Sequence, residues 1–112
     1  MILSNLLHNI VLKNVIGSIE IPISNIQFDS RKIVEGSVFV ATRGTASDGH
    51  DYIEMAIENG AKAIVCEEIP TEQKGGINYI QVENSSDALG KMASAWYDFP
   101  SSKIILIGVT GT

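Results

Sequence analysis

Residues 26 to 52 read Ile26-Gln-Phe-Asp-Ser-Arg-Lys-Ile-Val-Glu-Gly-Ser-Val-Phe-Val-Ala-Thr-Arg-Gly-Thr-Ala-Ser-Asp-Gly-His-Asp-Tyr52. Two apolar runs, Ile26 to Phe28 and Val38 to Ala41, stand among polar segments punctuated by glycine, the pattern of strands whose ends open into binding loops. Asp29-Ser-Arg31 falls where the first run stops and strand backbone groups go free. Gly36 permits the turn that returns Ser37 to Ala41 as a second strand. Thr42 to Gly49 is then a loop of mostly small residues. In it Gly44 and Gly49 are expected to take positive φ, so that backbone N–H groups and hydroxyls can meet a ligand. Asp51-Tyr-Ile-Glu54 has capping-box spacing, which predicts a helix beginning at Tyr52. Residue types alone also fit an ordinary surface turn, with Asp29 and Arg31 in a weak ion pair and the glycines as loop punctuation.

Downstream, Tyr52, Ile53, Met55, Ala56 and Ile57 recur at helical spacing up to Asn59, and Gly60 is placed to close that helix. Ala61 to Cys66 reads as the next strand, giving an αβ unit with a right-handed crossover if the flanking strands are parallel. Glu67 to Gly76 carries Pro70, Gly75 and Gly76 and reads as a surface loop; Asn78 to Val82 is another strand. Asn84-Ser-Ser-Asp87 offers several N-caps for a helix whose Leu89, Met92, Ala93 and Trp96 form an apolar stripe, read as core. Pro100 stops that helix, and Ile104 to Ile107 is a continuous apolar run of the kind buried on both faces of a parallel sheet. Upstream, Ser4 is expected to cap a short helix bearing Leu6, Leu7 and Ile10. Val11 to Ile21 reads as strand-like pieces broken at Asn14 and Gly17, with Pro22 ending the ladder. The expected class is α/β, a single domain with a mixed sheet flanked by helices.

At 112 residues the chain supports one core of useful size. Its net charge of −5, with the basic residues scattered, argues against binding the phosphate backbone of nucleic acid. A phosphorylated ligand must therefore be held by local amides and hydroxyls, not by the overall field. Cys66 is the only cysteine, so no intrachain disulfide can form, and its apolar surroundings read as those of a buried structural thiol. Ser4, Asn5, His8, Asn9 and Lys13 interrupt the N-terminal leucines before a signal core or a membrane span develops, which predicts a soluble, cytoplasmic protein. His50 lacks partners at metal-ligand spacing and is read as a solvated or capping group, and no metal site is expected.

Gly108-Val-Thr-Gly-Thr112 follows the last apolar run, where a phosphate-binding loop starts in nucleotide-binding α/β domains, but without the lysine that would reach the terminal phosphates. By itself it fits an ordinary strand end equally well. Together with D-S-R, G-S-V-F-V-A and the run from Arg43 through R-G-T-A-S-D-G-H-D-Y-I-E-M-A-I-E-N-G-A-K-A-I-V, it resembles the N-terminal domain of the Mur ligases. These are ATP-dependent enzymes that add amino acids to the UDP-linked peptidoglycan precursor. In that family a strand ending in G-V-T-G-T runs on into Asn-Gly-Lys-Thr, so the chain looks severed inside the ATP loop. The resemblance implies a UDP-precursor-binding domain over residues 1–103. Residues 104–112 would be the first strand and truncated phosphate loop of a central ATPase domain. The start M-I-L-S-N-L-L, the phrase L-G-K-M-A-S-A-W-Y-D-F-P and Val109 to Thr112 look more like the branch that adds the third residue, diaminopimelate or lysine. The branch adding D-Ala-D-Ala is the alternative, as is a stand-alone nucleotide-binding module.

Carried over by position, the resemblance implies that Ser30 and the backbone near Phe28 contact the uracil or ribose, and that Thr45, Ala46 and Ser47 line the uridine site. Gly44, Asp48, Gly49 and His50 would shape the loop beside it. Ser37 and Arg43 stand where other members often carry other residues. The partner would be UDP-N-acetylmuramoyl-L-alanyl-D-glutamate, and the protein a monomer. ATP and Mg²⁺ would serve the full enzyme; Gly111 and Thr112 would be incomplete ATP contacts. No catalytic residue and no bound cofactor are expected in this stretch.

Overall fold

A computed structural model describes residues 2–43 and 48–98. Along the chain run α1 (Leu3–Leu7), β1 (Leu12–Ile16), β2 (Ile26–Gln27), a 3₁₀ turn (Ser30–Lys32), β3 (Val38–Val40) and a second 3₁₀ turn (Gly49–Tyr52). They are followed by α2 (Ile53–Glu58), β4 (Ala63–Cys66), β5 (Asn78–Val82) and α3 (Ser85–Asp98). The five strands form one sheet in the order β1-β5-β4-β3-β2. Strands β2 to β5 are parallel, and β1 closes the far edge antiparallel to β5. The sheet is therefore mixed, and the α/β class expected from the sequence holds.

Period-two alternation divides the core between the two faces of the sheet. Val38, Val40, Ala63, Val65, Ile80 and Val82 face α1 and α3, where Leu3, Leu6, Leu7, Ala88 and Met92 complete one cluster. Phe39, Ala41, Ile64, Cys66 and Tyr79 face the other way and pack with Ile53 and Ala56 of α2. Each large side chain buried there contributes about 1.5–3 kcal/mol relative to exposure. Of the α3 stripe, Leu89, Met92 and Trp96 pack on the first cluster as their spacing predicts, whereas Ala93 is not among its members and Ala88 and Ala95 join it instead. Asn84 caps this helix through its side-chain oxygen, which accepts from the Asp87 N–H at 2.9 Å.

Several local expectations are corrected. Asn14 does not break β1; the strand passes through it with a register shift against β5, and Asn14 Oδ1 takes the next amide, that of Val15, at 3.0 Å. Ser4 lies inside α1 and not at its N-cap, which is Ile2; the Ser4 hydroxyl instead donates to Glu20. The capping box at Asp51 and Glu54 is not formed. Asp48 caps the 3₁₀ turn, accepting from the His50 N–H, and α2 begins one residue later than expected, with Tyr52 as an N-cap that makes no side-chain bond. Strand β2 stops at Gln27, leaving Phe28 outside it. The apolar run at 104–107 and the stop at Pro100 lie outside the described residues.

Glycine is required at the α2–β4 corner for a steric reason. Gly60 has φ +121 and donates to the Ile57 carbonyl, and a Cβ there would sit 2.9 Å from Glu35 Cα. Its own carbonyl accepts from the Gly36 N–H at 2.9 Å, so the turn before β3 and the turn before β4 lock together. This fixes the N-terminal edge of the sheet and leaves the opposite edge to carry the loops.

Candidate functional site

At the carboxyl ends of β2 and β3 the chain opens a cleft of about 520 Å³, lined by Phe28, Asp29, Ser30, Arg31, Phe39, Thr42, Gly49, Tyr52 and Met55. Clefts outside the carboxyl ends of strands are where open α/β sheets bind ligands. Asp29 builds one wall: its carboxylate accepts from the Arg31 amide at 3.0 Å, capping the first 3₁₀ turn, and from Arg31 Nε and Nη2 at 3.1 and 3.0 Å. The Arg31 side chain, with the Arg31 amide behind it, holds the Asp29 carboxyl at about 2. The guanidinium is 82% exposed at the mouth of the cleft, fixed in direction yet with donors to spare.

Ser30 is buried, and its hydroxyl points to Met55 Sδ at 3.4 Å. A thioether is a weak acceptor, so a ligand oxygen can replace it without an energetic penalty of note. Asn59 at the end of α2 holds the Ser30 carbonyl at 2.8 Å, which fixes this turn against the helix. Phe28 is 62% exposed, an aromatic face at the rim of the kind on which a flat base can stack.

Tyr52 and Met55 had the spacing of core positions in a helix, yet both are exposed and line the cleft, while Ile53 and Ala56 take the buried side. The stripe is thus rotated away from Tyr52 and Met55. They are the site residues that local spacing assigns to the core, whereas Arg31 and Thr42 lie in segments that the sequence marks without giving them a contact; an aromatic residue directly after a polar, glycine-bearing loop is the available signal for Tyr52.

Gly49 lines the opposite wall, but not with positive φ as expected. It must be glycine because a Cβ would lie 2.7 Å from the Thr42 carbonyl oxygen, which accepts the Gly49 N–H at 2.7 Å. Asp48 Oδ1 accepts from the His50 amide at 2.9 Å and faces His50 Nδ1 at 2.6 Å, and the amide contact, then the ring, lowers the Asp48 carboxyl below its usual range. His50 is only 12% exposed and belongs to the loop's framework, not to solvent. Gly44, Thr45, Ala46 and Ser47, placed between Arg43 and Asp48 by the chain, lie outside the described residues, as do Gly111 and Thr112.

Cys66 is fully buried beneath the sheet, with burial pushing its thiol up to about 12, as a structural thiol requires. Among the described residues no group of three or more His, Cys, Asp or Glu side chains is arranged to hold a metal ion. No helix among them is long and apolar enough to cross a membrane.

A mixed α/β sheet with a ligand-sized cleft beyond β2 and β3, walled by Asp29-Ser-Arg31 on one side and by Thr42 and Gly49 on the other, is the setting in which the sequence comparisons fall. Residues 22–97 match the family described as Mur ligase family, catalytic domain, and the chain belongs to that family. Among curated relatives it is similar to UDP-N-acetylmuramoyl-L-alanyl-D-glutamate--2,6-diaminopimelate ligases. The one from Parabacteroides distasonis is 51% identical over 90% of this chain, and that from Bacteroides thetaiotaomicron 49% identical over 100% of it. The chain spans 23% of the length of each of these relatives. Among solved structures it resembles MurF ligase from Thermotoga maritima in complex with ADP, at 38% identity and TM-score 0.56 over 65% of this chain and 16% of that one. MurF from Acinetobacter baumannii shares the fold at TM-score 0.65, with 22% identity over 83% of this chain and 20% of that one.

Proposed function

We propose that this chain is the substrate-holding part of a MurE-type ligase, gripping the uridine diphosphate end of UDP-N-acetylmuramoyl-L-alanyl-D-glutamate while the whole enzyme adds the third residue. The observation that carries this is that the cleft is lined by all of D-S-R and by the glycine of D-G-H, within a chain half identical to ligases named for that substrate. The D-Ala-D-Ala-adding branch has the Thermotoga MurF structure in its favour, at 38% identity over 65% of the chain, against 49% over all of it for the diaminopimelate ligase. Longer coverage at higher identity supports the third-residue branch, and the names of those relatives favour diaminopimelate over lysine as the residue added.

In this reading Phe28 stacks on the uracil, the Ser30 hydroxyl turns from Met55 to a ribose or uracil oxygen, and Thr45, Ala46 and Ser47 complete the pocket. Gly44, Asp48, Gly49 and His50 set the loop. Residues 1–103 form this domain and residues 104–112 begin the next, with Gly111 and Thr112 as the first ATP contacts. ATP with Mg²⁺ supplies the phosphoryl chemistry of the complete ligase, and the chain as given is expected neither to bind it measurably nor to ligate. The protein is read as a cytoplasmic monomer with no nucleic-acid partner.

Calorimetric titration of the chain with UDP tests the assignment. Saturable binding is expected, weakened by about 1–3 kcal/mol in Phe28→Ala if a base stacks there. Ser30→Ala should cost about 0.5–1.5 kcal/mol for the lost hydroxyl bond. Unchanged affinity in both variants, with the fold intact, removes the nucleotide from this cleft.

A further inference from the structure

We infer that Arg43, Asp48, His50, Glu67 and Glu68 form a closed polar ring that positions the wall of the cleft made by Thr42 and Gly49, with Glu67 as a positioning residue for nucleotide binding. This rests on the nucleotide reading of the cleft given above. Neither Arg43, His50, Glu67 nor Glu68 lines that cleft, so the ring acts on the ligand only through what it holds.

The ring starts from a rigid element. One Glu67 oxygen, Oε2, accepts both the Ser85 amide at 2.9 Å and the Ser85 hydroxyl at 3.0 Å, at the first turn of the fourteen-residue helix α3, where Ser85 is fully buried. The other oxygen, Oε1, faces Arg43 Nη1 at 3.4 Å. The Ser85 amide is the main reason that the Glu67 carboxyl stays below its usual range, so it is charged when it meets the guanidinium. The Glu67 carbonyl is held in turn by Gln81 of β5 at 3.0 Å, so the residue is fixed from two sides.

From Glu67 the ring passes to His50. The Glu67 and Glu68 amides donate to His50 Nε2 at 2.9 and 3.3 Å, which leaves the ring hydrogen on Nδ1, donating to Asp48 Oδ1. Arg43 closes the circuit, reaching Glu68 Oε1 at 3.1 Å and Asp48 Oδ2 at 3.4 Å while its backbone bridges that of Asp48. Taken singly, the half-exposed Arg43 pairs are worth little. Joined to a nearly buried imidazole with both nitrogens engaged, they fix Arg43 and Asp48 together against the exit of β4. Asp48 leads directly into Gly49, whose N–H is bonded to the Thr42 carbonyl at 2.7 Å, so a shift of the ring is passed on to the cleft wall.

The test uses Glu67→Gln, which keeps an acceptor for Ser85 but loses the charge facing Arg43, Glu67→Ala, which loses both, and Arg43→Met. Each variant is measured below its melting transition, where circular dichroism reports it folded. Two readouts are taken: amide hydrogen exchange of Gly49 and His50 without ligand, and the Kd for UDP. Exchange at Gly49 and His50 is expected to quicken while Ile64 and Ile80 hold theirs, and the Kd to rise roughly fivefold in Glu67→Gln and further in Glu67→Ala. The Arg43→Met, Glu67→Gln double variant should bind no worse than the weaker single one, since both break one circuit. A purely structural role would lower Tm and leave the Kd and its additivity unmoved, which overturns the inference. Unchanged exchange at Gly49 overturns it too. Should the unaltered chain fail to bind UDP, the nucleotide reading of the cleft falls instead, and exchange at Gly49 alone decides whether the ring holds the wall. If Glu67→Ala does not fold, Glu67→Gln and Arg43→Met carry the comparison.

Discussion

Three carboxylates on one edge of the sheet, Asp29, Asp48 and Glu67, are all lowered by folding, each chiefly by a hydrogen bond that a nearby residue donates: the Arg31 side chain, the His50 amide and the Ser85 amide. A carboxylate of this kind binds fewer protons in the native than in the unfolded chain between its two pKa values. The stability it brings is therefore full above the ordinary carboxylate range and is lost as pH falls through the folded value. For Asp29 that window runs from 3.8 down to about 2. The thermal midpoint is expected to hold from about pH 7 to 5 and to drop below that, with a shallower drop in Glu67→Gln because one contributing carboxylate is gone. Calorimetric scans across that range check it, and equal slopes in the two proteins would refute the account. Cys66 gives the opposite case: a thiol raised to about 12 by burial alone should stay unmodified by iodoacetamide near pH 8 and react fully once urea unfolds the chain. Measurable alkylation of the native protein would place the thiol nearer the surface.

The elements most legible in the sequence are those whose own periodicity carries them. Val38 to Val40, Ala63 to Cys66 and Asn78 to Val82 alternate or run apolar between turn residues, and α3 shows its stripe and its Asn84 cap within fifteen residues. The approach to α2 is less legible because Asp48 and Asp51 are both N-cap residue types, three positions apart, and Asp48 caps a 3₁₀ turn that precedes the helix. Local spacing favoured Asp51, with Glu54 behind it. What accompanies the Asp48 cap is tertiary: the His50 ring, within the 3₁₀ turn, meets the amides of Glu67 and Glu68, 17 and 18 residues further on. Tyr52, at the end of that turn, and Met55 line the cleft. At Asn14 the reason is different: an edge strand tolerates a register shift that sequence alone reads as a break. Of the candidate site, the D-S-R and D-G-H segments were legible, whereas the ring through Glu67 joins residues too far apart for any motif. Asp48→Ala should therefore destabilise the chain by about 1 kcal/mol through the lost cap, and Asp51→Ala by no more than a few tenths. Urea denaturation of the two variants measures the contrast, and equal losses would restore the capping box.

Among the described residues of the molecule, two apolar clusters share one sheet. Each of β3, β4 and β5 sends alternate residues to opposite faces, so Val38 and Phe39, or Ile64 and Val65, belong to different clusters while occupying neighbouring positions on one backbone. Unfolding one face frees the strands that the other face needs, since a strand cannot keep its ladder for one cluster and lose it for the other. The antiparallel edge strand β1 ties the N-terminal α1 region into the same sheet, so the N-terminal arm is coupled as well. One cooperative transition is expected, and the molecule supplies a probe for each face. Trp96 packs on the α1–α3 side, and Tyr79, fully buried with its hydroxyl accepting the Lys74 amide at 2.9 Å, lies on the α2 side. In urea, Trp96 fluorescence, the exchange protection of Ile64 and far-ultraviolet circular dichroism should share one midpoint and one slope. An earlier loss of the Trp96 signal, with the Ile64 amide still protected, would mean that α3 leaves the sheet before the α2 face opens. The Glu67–Ser85 bonds would then be the first to break, and the cleft wall would lose its anchor ahead of global unfolding.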